Sequence, residues 1–225
     1  MQKLVRGIKA FQEKTFAENK ELFESLAEGQ KPEALFITCS DSRLNPNLLT
    51  QTQPGEIFII RNAGNLIPTH GGPIGGEAGT IEFALLGLGI REIIVCGHSH
   101  CGAMKGVLEP SLLKELPTTA TWLKNADSTQ RIMKENYKHL GGEQLLNATI
   151  QENVLVQIEN LKTHPAVAAL LARGELQIHA WVYKFETGQV FSFDPQEGQF
   201  VLLEEATPLL SQKRQLQPVT HKSYN

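Results

Sequence analysis

The stretch IIVCGHSHCG, residues 93–102, decides how the chain is read. Its unbroken apolar run, Ile93 to Cys96, suits a strand covered on both faces of a parallel sheet, and the run stops at Gly97-His98. The same design occurs twice upstream: Ala34 to Thr38 ends at Cys39, and Ile57 to Ile60 ends at Arg61-Asn62. Between the second and third runs, Ala78, Ile81, Ala84, Leu85 and Leu88 recur at helical spacing within residues 76–89. Further helices are expected over residues 116–139, 142–162 and 166–172. Alternation across residues 176–193 predicts a strand pair turning near Thr187-Gly188. Strands and helices taking turns in this way define an α/β fold, with a mainly parallel central β-sheet flanked by helices.

Around this core, expected over residues 30–195, lie two arms. Residues 1–28 form an N-terminal helical arm, with Leu4, Ile8, Phe11, Phe16, Leu22 and Leu26 on apolar faces. Residues 196–225 read as a C-terminal arm or tail, rich in Gln, Lys, Ser and Pro towards the end. One domain suits a chain of 225 residues. A formal net charge of −3 and scattered basic residues give no reason to expect nucleic acid or an anionic membrane. The polar N-terminus and the lack of a long apolar run argue against an export signal or a membrane span. Three cysteines, an odd number, fit a reducing compartment rather than a disulfide framework.

In open parallel sheets, ligands bind beyond the carboxyl ends of the strands. Cys39, Arg61 and His98 fall there. Zinc favours thiolate and imidazole in a tetrahedron, and catalytic sites keep one position for water or substrate. Cys39, His98 and Cys101 supply three such ligands from two strand ends, whereas Cys96, inside an apolar run, belongs to the core. A lone His-x-x-Cys is a weak pattern; its placement beside Asp41-Ser42-Arg43 strengthens it. An aspartate beside a guanidinium stays ionised, so Asp41 can orient a metal-bound water or swing onto the metal and close the site. His70 and His100 are candidate proton carriers, more commonly mere polar neighbours. The glycine-rich stretch Gly71-Gly72-Pro73-Ile74-Gly75-Gly76 lacks the ending of a phosphate loop, so no nucleotide is implied.

Three segments carry a resemblance: Cys39-Ser40-Asp41-Ser42-Arg43, Pro54-Gly55-Glu56 followed by Arg61-Asn62-Ala63-Gly64-Asn65, and Cys96 through Gly102. In these the chain resembles the β-class carbonic anhydrases, most specifically from about Gln30 to Gly106, and in pattern the cyanobacterial members of the plant-like branch. The resemblance implies zinc held by Cys39, His98 and Cys101, an Asp41–Arg43 catalytic dyad, and hydration of carbon dioxide to bicarbonate and a proton. It further implies that Gln30 and Phe58 line the substrate pocket. Phe36 stands where another branch has a tryptophan of a bicarbonate site, so inhibition there is not expected. Two pocket positions depart from the pattern: Phe83 replaces a usual tyrosine, and Ala63 a frequent valine. These bear on rate and selectivity. Rival readings are a hydrolase of carbonyl sulfide or carbon disulfide, and a silent zinc-binding scaffold. The resemblance also implies a homo-oligomer, at least a dimer, with N-terminal helices crossing between chains. The expected compartment is the cytoplasm; carboxysome association has no sequence signal.

Overall fold

The computed structural model describes residues 1–72 and 75–204. Its centre is a six-stranded sheet of order β2-β1-β3-β4-β5-β6. The strands are β1 (Ala34–Cys39), β2 (Ile57–Asn62), β3 (Glu92–His98), β4 (Gln177–Tyr183), β5 (Val190–Asp194) and β6 (Gln199–Leu202). The first four run parallel, and β5 and β6 add an antiparallel edge. The three short apolar runs are thus the three adjacent strands on one side of the sheet. Every residue of β1, the strand between β2 and β3, is buried.

The helices are α1 (Gln2–Ala10), α2 (Phe16–Glu18), α3 (Lys20–Glu28), α4 (Pro46–Thr50), α5 (Gly76–Glu82), α6 (Gly102–Leu108), α7 (Pro117–Trp122), α8 (Asp127–Asn136), α9 (Gly142–Lys162) and α10 (Pro165–Ala172). The main core lies between one face of the sheet and these helices, above all α9. Leu146, Ile150, Val154, Ile158 and Leu161 recur every three or four residues along α9 and are buried in that core. Gly97 allows this approach. A Cβ there would stand 2.9 Å from Val154 Cγ2 and 3.1 Å from Ile150 Cγ2. Beside the apolar stripe runs a second buried row, Thr149, Asn153 and Gln157, which is polar. The opposite sheet face has a smaller cluster of Ala34, Phe36, Ile94 and Cys96, with Trp181 and Tyr183 packed against it.

The single helix expected over 116–139 is interrupted. Between α7 and α8 the backbone tightens into a 3₁₀ turn, Leu123–Ala126. There the Asn125 amide donates to the Trp122 carbonyl at 2.9 Å, a local bond that competes with helical continuation. The helix after Gly76 widens into a π-helical turn over Phe83–Gly87 and closes at Gly89, with φ +73°. β6 lies in the segment read as arm or tail. Asp194 organises a turn by accepting from Gln196 N at 2.7 Å, Gly198 takes φ +66°, and the chain returns beside β5. The sheet therefore runs to Leu202, past the expected core limit of 195, and residues 205–225 of the expected tail lie outside the described residues.

The N-terminal arm is helical, with α1 and α2 joined by a π-helical turn, Phe11–Thr15, and Asn19 breaking the line before α3. No residue of α1, α2 or α3 is buried. Leu4, Val5, Ile8, Phe11 and Phe16 stand exposed in the single chain.

Candidate metal centre

β1 delivers Cys39, β3 delivers His98, and two residues later the chain turns so that Cys101 caps α6. The turn puts His100 at φ +55°, a region side-chain-bearing residues seldom occupy. The ligand atoms of Cys39, His98 and Cys101 all lie within 4.8 Å of one another, and all three residues are buried. His98 Nδ1 lies 2.9 Å from the carbonyl of Ser99, while Nε2 is buried without any partner among the described residues. An orphaned imidazole nitrogen facing two thiols is costly unless something binds it. Two sulfurs and an imidazole nitrogen are a donor set suited to zinc.

The sulfurs are prepared for a cation. Cys39 is held well below an ordinary thiol pKa, first by its hydrogen bond with Cys101, while burial opposes the shift. Cys101 is pushed well up by that same bond and by burial. A divalent cation bound here would favour the thiolate form of both sulfurs. Gly64 contributes a further contact, its backbone N–H donating to Cys39 Sγ at 3.3 Å. Gly64 takes φ +83°, and a Cβ there would come within 3.0 Å of Ala103 Cβ, so glycine is needed for this approach.

Asp41 and Arg43 do come together beside the centre. Asp41 Oδ1 accepts from Arg43 Nε at 2.9 Å and Oδ2 from Nη2 at 2.7 Å; Oδ2 lies 3.9 Å from His98 Nε2. These hydrogen bonds hold the Asp41 carboxyl well below the usual carboxylate range. Arg43 is itself braced: its guanidinium lies 4.5 Å over the Phe185 ring, which also packs on His98, ring centroids 5.1 Å apart. Arg61 ties two strand ends together, donating to Cys39 O at 3.0 Å and to Asp41 O at 2.7 Å.

The pocket residues divide. Ala63 follows β2 next to the candidate ligands, its carbonyl accepting from Trp122 Nε1 at 2.9 Å. Phe58 pairs with Leu35, whereas Asn62 pairs with Cys39, so Phe58 sits four residues back along the strand, ~13 Å at ~3.3 Å per residue. Phe83 packs against Phe58 with ring centroids 6.1 Å apart and is 52% exposed. Gln30 is exposed, four residues before β1 begins. The chain thus gathers candidate ligands and dyad at the carboxyl ends, and Gln30, Phe58 and Phe83 towards the amino ends.

His100 pairs with Glu186, which also accepts from Ser99 Oγ at 2.9 Å; Glu143 joins them at the exposed rim. His70 packs on His164, its ring 5.8 Å away, and not among the converging ligands. Sequence reasoning missed Phe185 and Trp122. Phe185 arrives on the β4–β5 turn, distant in sequence from every motif, and carried no signal. Gly64 lay inside a quoted motif, where a glycine flanked by polar residues marks a close backbone approach.

A buried two-thiol, one-imidazole centre at the carboxyl ends of a parallel sheet defines a zinc-dependent α/β enzyme. The family described as carbonic anhydrase matches residues 34–190, and the chain belongs to it, in the β class. A carbonic anhydrase from Synechocystis sp. is 49% identical over 202 residues, covering 89% of this chain and 74% of the relative. The solved structure of the β-carbonic anhydrase CcaA superposes with a TM-score of 0.91 at 47% identity, covering 94% of this chain and 95% of that one. One of two tetrameric β-carbonic anhydrases from Sordaria macrospora superposes at 0.78 and 25% identity, covering 89% and 98%. The activity is the reversible hydration of carbon dioxide to bicarbonate and a proton, and the cofactor is zinc. No helix among the described residues is long and apolar enough to cross a membrane.

Proposed function

We propose that Cys39, His98 and Cys101 hold the zinc, that Asp41 and Arg43 orient the reacting groups, and that Gln30, Phe58 and Phe83 complete the pocket from a second copy of the chain. The observation that carries the ligand assignment is His98 Nε2, buried and unpartnered on a ring that clusters with two thiols, ligand atoms within 4.8 Å of one another. Bound there, zinc supplies the Lewis acidity that makes water a nucleophile at neutral pH.

The chain's own residues do the rest. Both oxygens of Asp41 are engaged by Arg43, which keeps the carboxylate charged and holds it off the metal, favouring the open site. From that position Asp41 accepts a proton-bearing group in front of the ligands and fixes its direction. Phe58 and Phe83 offer an apolar wall suited to a linear, uncharged substrate, and the Gln30 amide a hydrogen bond to an oxygen of the product. Ala63 leaves more room beside the ligands than a valine would.

Separation of the two halves within one chain supports an assembly of at least two copies. So do the exposed Leu4, Ile8, Phe11 and Phe16 of the arm, an apolar stripe that nothing among the described residues covers. Three free cysteines favour a reducing compartment, and we assign the chain to the cytoplasm on that ground. Stopped-flow hydration of carbon dioxide on zinc-quantified protein tests the reading. Cys101→Ser should lose both zinc and turnover; zinc retained in that variant overturns the ligand set.

A further inference from the structure

Trp122 stands at the end of α7, far in sequence from any ligand. Its indole N–H donates to the carbonyl of Ala63 at 2.9 Å. That carbonyl belongs to the peptide whose N–H, on Gly64, donates to Cys39 Sγ at 3.3 Å. Indole, peptide and sulfur form one line of hydrogen bonds pointing the same way. A peptide whose oxygen accepts a bond becomes a better donor at its nitrogen, so the two bonds reinforce one another. The next peptide is anchored too: Asn153 Nδ2, on the polar row of α9, donates to Gly64 O at 3.0 Å.

We propose that Trp122 is a positioning residue for the metal centre, aiming and polarising the Ala63–Gly64 peptide so that its N–H rests on the Cys39 sulfur. This role rests on Cys39 being a zinc ligand. Outer contacts of this kind set ligand orientation and metal affinity, typically by about 10–100-fold. Here the contact draws electron density from the thiolate and holds the sulfur where the metal needs it. Phenylalanine at position 122 would keep an aromatic ring and lose the donor. The other tryptophan, Trp181, provides an internal comparison, because its buried Nε1 has no partner among the described residues.

The test uses full-length protein loaded with cobalt(II) in place of zinc, comparing wild type, Trp122→Phe and Trp181→Phe. Wild type should show the charge-transfer band of cobalt bound to thiolate. Its absence would overturn the ligand reading itself, independently of Trp122. With the band present, Trp122→Phe should shift it to longer wavelength, since the sulfur becomes more electron-rich. Chelator competition should show metal affinity weaker by about tenfold. Trp181→Phe should move neither. A band and affinity unchanged in Trp122→Phe, whatever happens to thermal stability, would reduce Trp122 to ordinary packing and overturn the proposal. Should Trp122→Phe not fold, 3-benzothienylalanine at position 122 keeps the outline of the indole, puts sulfur in place of N–H, and answers the same question.

Discussion

Arg43 grips Asp41 at two points, Nε on Oδ1 at 2.9 Å and Nη2 on Oδ2 at 2.7 Å, while its own face rests on Phe185. A fork of this shape is specific to a planar guanidinium; an ammonium is a point donor and cannot reproduce it. Arg43→Lys should therefore lower kcat by up to about 100-fold through misplacement, with zinc content unchanged. The sign of the pH effect follows from the same bonds. They depress the Asp41 pKa, so weakening them raises it, and the Asp41 carboxyl of Arg43→Lys should titrate at higher pH than in the wild type when followed by NMR. Asp41→Asn, which keeps the shape and removes the charge, should cost about 100-fold or more. Full activity in Asp41→Asn would remove the orienting role.

A pocket assembled from two chains predicts complementation. Cys101→Ser disables the metal half and Gln30→Ala weakens the pocket half. Unfolded together and refolded, the two variants should form mixed assemblies in which some sites carry neither defect. Activity should then exceed the sum of the separately refolded variants. Activity no higher than that sum would place Gln30 and the ligands of each working site on the same chain.

Cys96 is fully buried, and burial pushes its thiol up from 9.0 to about 12. It should resist iodoacetamide at neutral pH in both zinc-loaded and metal-free protein. Cys39, held low by its partner thiol, should be the first alkylated once zinc is removed, and protected while zinc is bound. From pH 9 to 12 the unfolded chain loses the Cys96 proton and the native chain keeps it, so stability falls with rising pH. Cys96→Ala should remove up to about 1.4 kcal/mol per pH unit of that slope, measured by denaturant unfolding.

Gly97 sets the seat of α9. Adding a methyl group places it 2.9 Å from Val154 Cγ2, one residue before the proposed ligand His98. Gly97→Ala should destabilise by about 1–3 kcal/mol as the helix backs away. Zinc affinity should fall with it, because α9 also anchors Gly64 through Asn153. Val154→Ala, which clears the space, should restore part of the zinc affinity when combined with Gly97→Ala.

What the sequence disclosed follows from how local each feature is. β1 and β3 were legible because a short apolar run ending in a chemically distinctive residue fits little besides a buried strand that ends at a site. The clustering of Cys39, His98 and Cys101 and the pairing of Asp41 with Arg43 were legible because all five sit within six residues of a strand end. β6 was not read as a strand: Gln199–Leu202 is four residues long, and its Asp194–Gly198 turn was absorbed into the tail. The 3₁₀ break at Leu123–Ala126 depends on a side chain bonding to its own backbone, which periodicity does not register. Phe185 and Trp122 reach the centre only through tertiary folding, so no spacing rule brings them to it. Nor could one strand's sequence reveal that Phe58 and Cys39 lie far apart along the paired strands.

That last separation bears on how the protein would behave when scarce. If each working site needs the carboxyl ends of one sheet and the amino ends of another, dilution becomes a switch. Below the dissociation constant of the assembly, turnover per chain would fade. Specific activity would then rise with protein concentration and level off, so a chain judged inactive in a nanomolar assay could be fully active at the density of a crowded compartment.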